Sequence, residues 1–401
     1  MAETRKASRF IVPVAVAGVA AATIGLVPAL AASGDPDLPE ITAQQLIEKI
    51  AASDTQTLSG TFRISTDLGL PLDGLTSALG GIGGGAGGGS SVDPSEKLTE
   101  LISGSHTLRI AADGPERQKL TLLDGSDEYS LIHNGNDVWA YDSKSNEVFH
   151  EKAPAGTDAP DAHEVPKGKE LPGTPKQLAD EVLKAAGDTT SITVDGTAKV
   201  AGRDAYQLVI KPKQAGSTVE SVKIAVDAAN GTPLKFTLAS VEGGKPVVDA
   251  GFTKVDFSKP AASDFTFKAP EGAKVTEGAA EKAAEEADGA KENPFGDELP
   301  GGLGDAFGLG AGSDKGGVNV IGEGWTTIAK IDSGAPAPKT DEAPKEFQGL
   351  LDSLGDKVTG KFGSGTVFKT KIVNALLTDD GKVYVGAVTK DALVNAANAD
   401  K

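Results

Sequence analysis

The side chains in this chain that could make or break bonds are few, and their spacing argues against catalysis. Its four histidines, His106, His133, His150 and His163, fall in different strand or loop patterns. No His-x3-His pair lies on a helix, so the spacing that two imidazoles need to share a zinc ion does not occur. There are no cysteines, which excludes disulfides, thiol catalysis, Cys-ligated metal and a lipid anchor carried by this chain. No Gly-x-Ser-x-Gly elbow is present, so a serine nucleophile lacks its strained strand-to-helix turn. Asp379 and Asp380 form a carboxylate pair, but Asp-Asp-Gly between two strand patterns is turn chemistry. The run Gly80 to Ser91 copies the glycine spacing of a phosphate loop without its Lys-Ser/Thr ending. No catalytic residue, metal or cofactor is expected.

Binding is what remains, and composition narrows the ligand. The net charge of −18 opposes contact with a phosphate backbone, which needs clustered Lys and Arg, so nucleic acid is not an expected partner. With 51 Gly and 22 Pro in 401 residues, much of the chain reads as linker. Aromatics are only 5% against 39% hydrophobic residues, so the core is built mainly from Val, Ile, Leu and Ala.

The N-terminus addresses the protein to the cell envelope. Arg5, Lys6 and Arg9 flank an apolar run from Phe10 to Val27, followed by the small residues Ala29 and Ala31. Residues 1–31 therefore read as an export signal, either cleaved after Ala31 or kept as a membrane anchor. Both fates place the rest of the chain outside the cytoplasm, secreted or tethered.

The elements that follow are mostly strands. Ile41 to Ala52 has helical period, with Thr42 as N-cap. Phe62 and Ile64 then begin an alternating pattern, continued at Thr107–Ala112, Gln118–Leu123, Tyr129–His133, Val138–Asp142 and Glu147–Glu151. Asp124-Gly125 and Asn134-Gly135 are hairpin signals. A helix is expected over Pro175–Ala186, then a second meander at Ser191–Val200, Ala205–Lys211, Val219–Asp227, Leu234–Ser240 and Val247–Phe257, with Asn230-Gly231 and Gly243-Gly244 as turns. The fold class is α+β, with a curved antiparallel β-sheet. Residues 276–317 are an acidic Ala- and Gly-rich linker. A small α/β segment follows over 318–398, with strands at Val318–Ile331, Lys369–Leu377 and Lys382–Val388 and helices at Glu346–Leu354 and Asp391–Asn398. Whether it completes the first sheet is left open by the pattern.

Four stretches carry a family resemblance over about 41–275: Gly135 to Asp142 with Trp139 and Tyr141, Val200 to Pro212, Val226-Asp227 through Leu234, and Phe265-Thr266-Phe267 with Pro270 to Ala273. In these the chain resembles LolA-like lipoprotein carriers and the N-terminal domain of RseB/MucB, particularly the Gram-positive versions. The resemblance implies an unclosed half-barrel with helices across its concave face and an apolar cavity for acyl chains. Phe62, Ile64, Leu108, Ile110, Leu120, Leu122, Val222, Ile224 and Phe236 are the expected lining, with Trp139 and Tyr141 from one face of their strand. The implied partners are acyl chains of lipids or lipoproteins, or a membrane or anti-sigma-factor protein in an RseB-like sensor. The glycine insertion 80–91, the linker and the C-terminal segment are additions to that pattern.

Overall fold

The computed structural model describes residues 36–69, 104–152, 183–184, 186–278, 318–332 and 355–400. The export segment, the glycine insertion, the linker beyond residue 278, the helix expected at Glu346–Leu354 and most of that at Pro175–Ala186 lie outside them.

Helix α1 (Ala43–Ala51) begins where the sequence places it. The Thr42 hydroxyl accepts from the Gln45 amide and the Gln45 side chain accepts from the Thr42 amide, a reciprocal cap that satisfies two otherwise orphaned N–H groups. Its apolar stripe buries Leu46 and Ile47, at about 2 kcal/mol for each side chain removed from water. Strand β1 (Thr57–Thr66) follows. The first meander is β2 (Gly104–Asp113), β3 (Arg117–Asp124), β4 (Asp127–Asn134), β5 (Asp137–Asp142) and β6 (Glu147–Lys152). The second is β7 (Thr190–Val200), β8 (Arg203–Pro212), β9 (Val219–Asp227), β10 (Pro233–Ser240) and β11 (Val248–Asp256), followed by the short β12 (Lys274–Glu277).

Pairing of β1 with both β2 and β11 fuses the meanders into one twelve-stranded sheet, ordered β12-β6-β5-β4-β3-β2-β1-β11-β10-β9-β8-β7. The edge strands β12 and β7 do not meet, so the sheet is unclosed, as the fold reading required. Every pairing is antiparallel except that of β12 with β6. Lys274 to Glu277 were expected at the boundary of domain and linker. They are held instead as an edge strand by Lys274–Glu147 and Glu277–His150 contacts across 127 residues of sequence.

The C-terminal strands form their own six-stranded sheet, β13 (Val318–Ile321), β14 (Ile328–Asp332), β15 (Gly355–Gly360), β16 (Gly363–Lys369), β17 (Asn374–Thr378) and β18 (Lys382–Gly386), in the order β13-β14-β18-β17-β16-β15. Helix α2 (Lys390–Ala399) packs on it through Leu393 and Ala397. Two expected strands are each broken in two. Val318–Ile331 turns at Gly322, whose positive φ of 83° suits glycine. Lys369–Leu377 turns at Thr370, whose hydroxyl accepts from the Ile372 and Val373 amides.

The sheets are joined by backbone and side chains together. Thr218 N–H donates to Ala387 O at 3.0 Å, Thr389 N–H to Gly216 O at 2.8 Å, and Lys371 N–H to Leu68 O at 2.9 Å. Between these bonds Val219, Val247 and Ile372 form an apolar joint flanked by Trp325.

Candidate functional site

Strand register decides which side chains share a face. Opposed residues in antiparallel pairs point the same way: Phe62 faces Leu108, Leu108 faces Leu122, and Leu122 faces Tyr129. In the neighbouring row Ile110, Leu120, Leu131, Ala140 and Phe149 are successive partners. Across the centre Phe62 opposes Phe252, their rings edge-to-face at 5.1 Å. Phe236 opposes Ala250 on one side and Ile224 on the other, and Val222 opposes Leu238. Nine of the eleven candidate residues, Phe62, Ile64, Leu108, Ile110, Leu120, Leu122, Val222, Ile224 and Phe236, thus lie on one apolar face that spans both meanders.

That face is packed unevenly. At the β7–β9 end, α1 covers it: Leu46 and Ile47 are buried with Tyr206, Leu208 and Val226, and Ile224 packs against this cluster. At the β1–β6 end a second cluster centres on Leu108, Leu122, Tyr129 and Ala140. Phe62, Ile64 and Leu120 lie against it, half-buried. Among the described residues no α-helix packs on this second cluster. Phe236, between the two, is 38% exposed, unusual for a phenylalanine in the middle of a large sheet.

Trp139 and Tyr141 point the other way. They oppose Ile132 and Ser130 on β4, and His150 and Val148 on β6. Their side of the sheet is closed by the segment after β11, where Phe265 is buried and the Phe267 ring lies 5.3 Å from Trp139 and 5.6 Å from Tyr141. These two candidates therefore belong to a second core on the reverse face and do not join the other nine.

Sequence reasoning passed over His150. It is buried, its ring stacks on Trp139 at 3.6 Å, and its Nδ1 and Nε2 meet Glu277 Oε2 at 2.8 Å and Asp137 Oδ1 at 2.9 Å. That His150 lies beside Trp139 depends on how β5 pairs with β6, which the pattern within either strand does not specify. Nothing local pointed to Glu277.

A separate open hollow of about 450 Å³ is lined by Leu38, Gly202, Arg203, Asp204, Asp227, Ala228 and Ala229, none of them a candidate. Its charges are internally satisfied. Arg203 Nη2 donates to Asp227 Oδ1 at 3.0 Å, its Nε donates to the other carboxylate oxygen, and its guanidinium lies 4.7 Å from the Phe257 ring centre. The Ala229 and Asn230 amides donate to the same carboxylate at 2.9 and 3.0 Å. Burial on its own pushes the Asp227 carboxyl up. The bonds from Arg203, Asn230 and Ala229 outweigh this and hold it below the usual carboxylate range. This is a structural corner at the β9–β10 turn. Among the described residues no cluster of His, Asp and Glu is arranged to hold a metal, and no helix is long and apolar enough to cross a membrane.

A family model described as "Predicted periplasmic protein (DUF2092)" matches residues 90–277, just under half of the 401. Among solved structures the chain is similar to one from the Pseudomonas aeruginosa MucA/MucB complex, at 16% identity and a TM-score of 0.37, covering 88% of this chain and 96% of that one. It is also similar to a LolA superfamily protein from Nitrosomonas europaea, at 11% identity and a TM-score of 0.19, covering 57% and 99%. An uncharacterized conserved protein from Thermus thermophilus matches at 11% identity and a TM-score of 0.30, covering 59% and 98%. No curated protein matches the chain in sequence.

Proposed function

We propose that this chain is an exported, non-enzymatic binding protein of the cell envelope, and that the apolar face of its large sheet holds the acyl chains of a lipid or lipoprotein. The observation that carries the reading is the uneven cover of that face. Helix α1 fills one end, while toward the other Phe62, Ile64 and Leu120 stay half-buried around the buried Leu108 and Leu122, and Phe236 is exposed. Each methylene buried against such a surface gains about 0.8 kcal/mol, so an acyl chain of ordinary length finds ample driving force there. The basic-then-apolar N-terminus, with the periplasmic description of the matched model, supports an extracytoplasmic setting.

The face separates the test residues by position. Leu120→Glu and Phe236→Glu, away from α1, are expected to keep the circular dichroism of the wild type and lose a fluorescent fatty-acid probe. An unpaired carboxylate on an apolar wall costs several kcal/mol or takes up a proton. Ile224→Glu, packed against the α1 cluster, is expected to destabilise the fold itself. If the folded wild type binds no acyl probe, the lipid reading is wrong, and recognition of an envelope or anti-sigma-factor partner protein takes its place.

A further inference from the structure

We infer that His150 is a pH-sensitive latch that clamps edge strand β12 to the large sheet when protonated and loosens it when neutral. Both ring nitrogens of this buried histidine face carboxylates, Nδ1 at 2.8 Å from Glu277 on β12 and Nε2 at 2.9 Å from Asp137 on β5. A neutral imidazole has a single N–H, so one of the two contacts must then set a lone pair against a carboxylate oxygen. Only the imidazolium donates to both. The Trp139 ring, stacked at 3.6 Å and 12° from coplanar, fixes the orientation of the imidazole.

The strand has little else to hold it. β12 is four residues long, exposed throughout, and paired with β6 alone. Its flanking backbone bonds are Lys274 N–H to Asn146 O at 3.0 Å and Gly278 N–H to the carbonyl of His150 itself at 2.7 Å. The remaining ion pair, Lys274 with Glu147, has an exposed ammonium and contributes little. Other charged groups of the packed elements are Lys152 on β6, register partner of Asp137, and Lys119 on β3, in the row of Ile132, Trp139 and His150. Asp264 and Lys268 adjoin Phe265 and Phe267 in the covering segment. None of these is an ion-pair partner of the ring. β12 is the edge strand beside β6 in the large sheet, so its release bares the backbone edge of β6, the kind of edge that accepts an added strand.

Amide hydrogen exchange of the full chain by NMR at pH 5 and pH 8, each rate corrected for its intrinsic value, tests the latch. Lys274 and Gly278 are expected to lose about tenfold in protection at pH 8, the size of one charge-assisted hydrogen bond, while β2 to β4 keep theirs. In Glu277→Gln the difference between the two pH values is expected to fall below about twofold, because the partner no longer carries the charge. Glu277 is 69% exposed, so this variant keeps the fold even if replacement of His150 does not. Equal protection at both pH values in the wild type overturns the proposal. So does a loss shared by the whole sheet, or a tenfold loss that persists in Glu277→Gln.

Discussion

The indole N–H of Trp325 donates to the Thr190 hydroxyl at 2.7 Å, tying the second sheet to the edge strand β7 of the first. The Trp325 backbone amide also donates to the Gln214 side chain at 3.1 Å, so one residue is fastened both to β7 and to the β8–β9 connection. Trp325→Phe removes only the indole bond and is expected to cost about 1 kcal/mol. Trp325→Ala also empties the flank of the apolar joint and is expected to cost about 2 to 3 kcal/mol. In urea, Trp325→Ala should convert a shared unfolding transition into two, the second sheet melting first. A single unchanged transition would show that the backbone bonds alone couple the sheets.

Glycine turns in the meanders are not equivalent. Gly231 has φ 78°, and a Cβ there would lie 2.3 Å from the Lys49 carbonyl oxygen at the end of α1. Gly135 has φ 62° with open space around it. Gly135→Ala is expected to cost only the left-handed backbone strain, about 1 kcal/mol. Gly231→Ala adds a collision with backbone that cannot move without lifting α1, and should cost roughly 3 kcal/mol or more. Denaturation midpoints of the two variants measure the difference.

Those two turns also mark how far the sequence was legible. Asn134-Gly135 and Asn230-Gly231 announced hairpins because their chemistry is local, and the alternating strands between such turns emerged close to their expected bounds. That Gly231 supports a helix from the other end of the domain was invisible, since it depends on packing. The same holds for β12, four exposed residues fixed by pairing with distant β6 and by contacts with Glu147 and His150. Thr370 interrupts an apolar alternation because its own hydroxyl captures the next amides, while Ile372 and Val373 keep the strand-like pattern by facing the other sheet. For the candidate site, parity within each strand was readable. The relation between strands was not, and this is why the sequence pattern groups Trp139 and Tyr141 with residues of the opposite face.

Asp227 makes the fold acid-sensitive. Its folded carboxyl is held below the usual range, so its stabilisation is complete above the unfolded value near pH ~4 and is lost as pH falls through the lower folded value. Asp227→Asn is expected to flatten the stability curve below about pH 4. At neutral pH it should cost roughly 2 kcal/mol, less than a fully buried pair because Arg203 is partly exposed. Unfolding free energies measured from pH 2 to pH 7 would expose both effects, and an unchanged acid limb would remove Asp227 as their source.

The last prediction concerns Asp400, at the end of α2. It accepts from the Tyr384 hydroxyl at 2.9 Å and from Lys330 Nζ at 2.7 Å, with Lys382 Nζ at 3.5 Å. The Lys330 bond holds the carboxyl below its usual range against an opposing contribution from burial. Burial, and then the carboxylate beside it, push the Tyr384 phenol well above its ordinary value. Tyr384→Phe deletes a donor and leaves no buried group unpaired, so a cost of about 1 kcal/mol or less is expected. Asp400→Ala orphans a buried hydroxyl and a half-shielded ammonium together and should cost about 2 kcal/mol. Asp400→Asn keeps an acceptor for Tyr384 while removing the charge, and is expected to fall between them. The three can be ranked by urea midpoint. Alkaline titration of tyrosine absorbance supplies an independent reading, because Asp400→Asn should bring the Tyr384 ionisation down toward the others. If Asp400→Asn proves as costly as Asp400→Ala, the charge on Asp400, and not the hydrogen bond to Tyr384, is what fastens α2 to the second sheet.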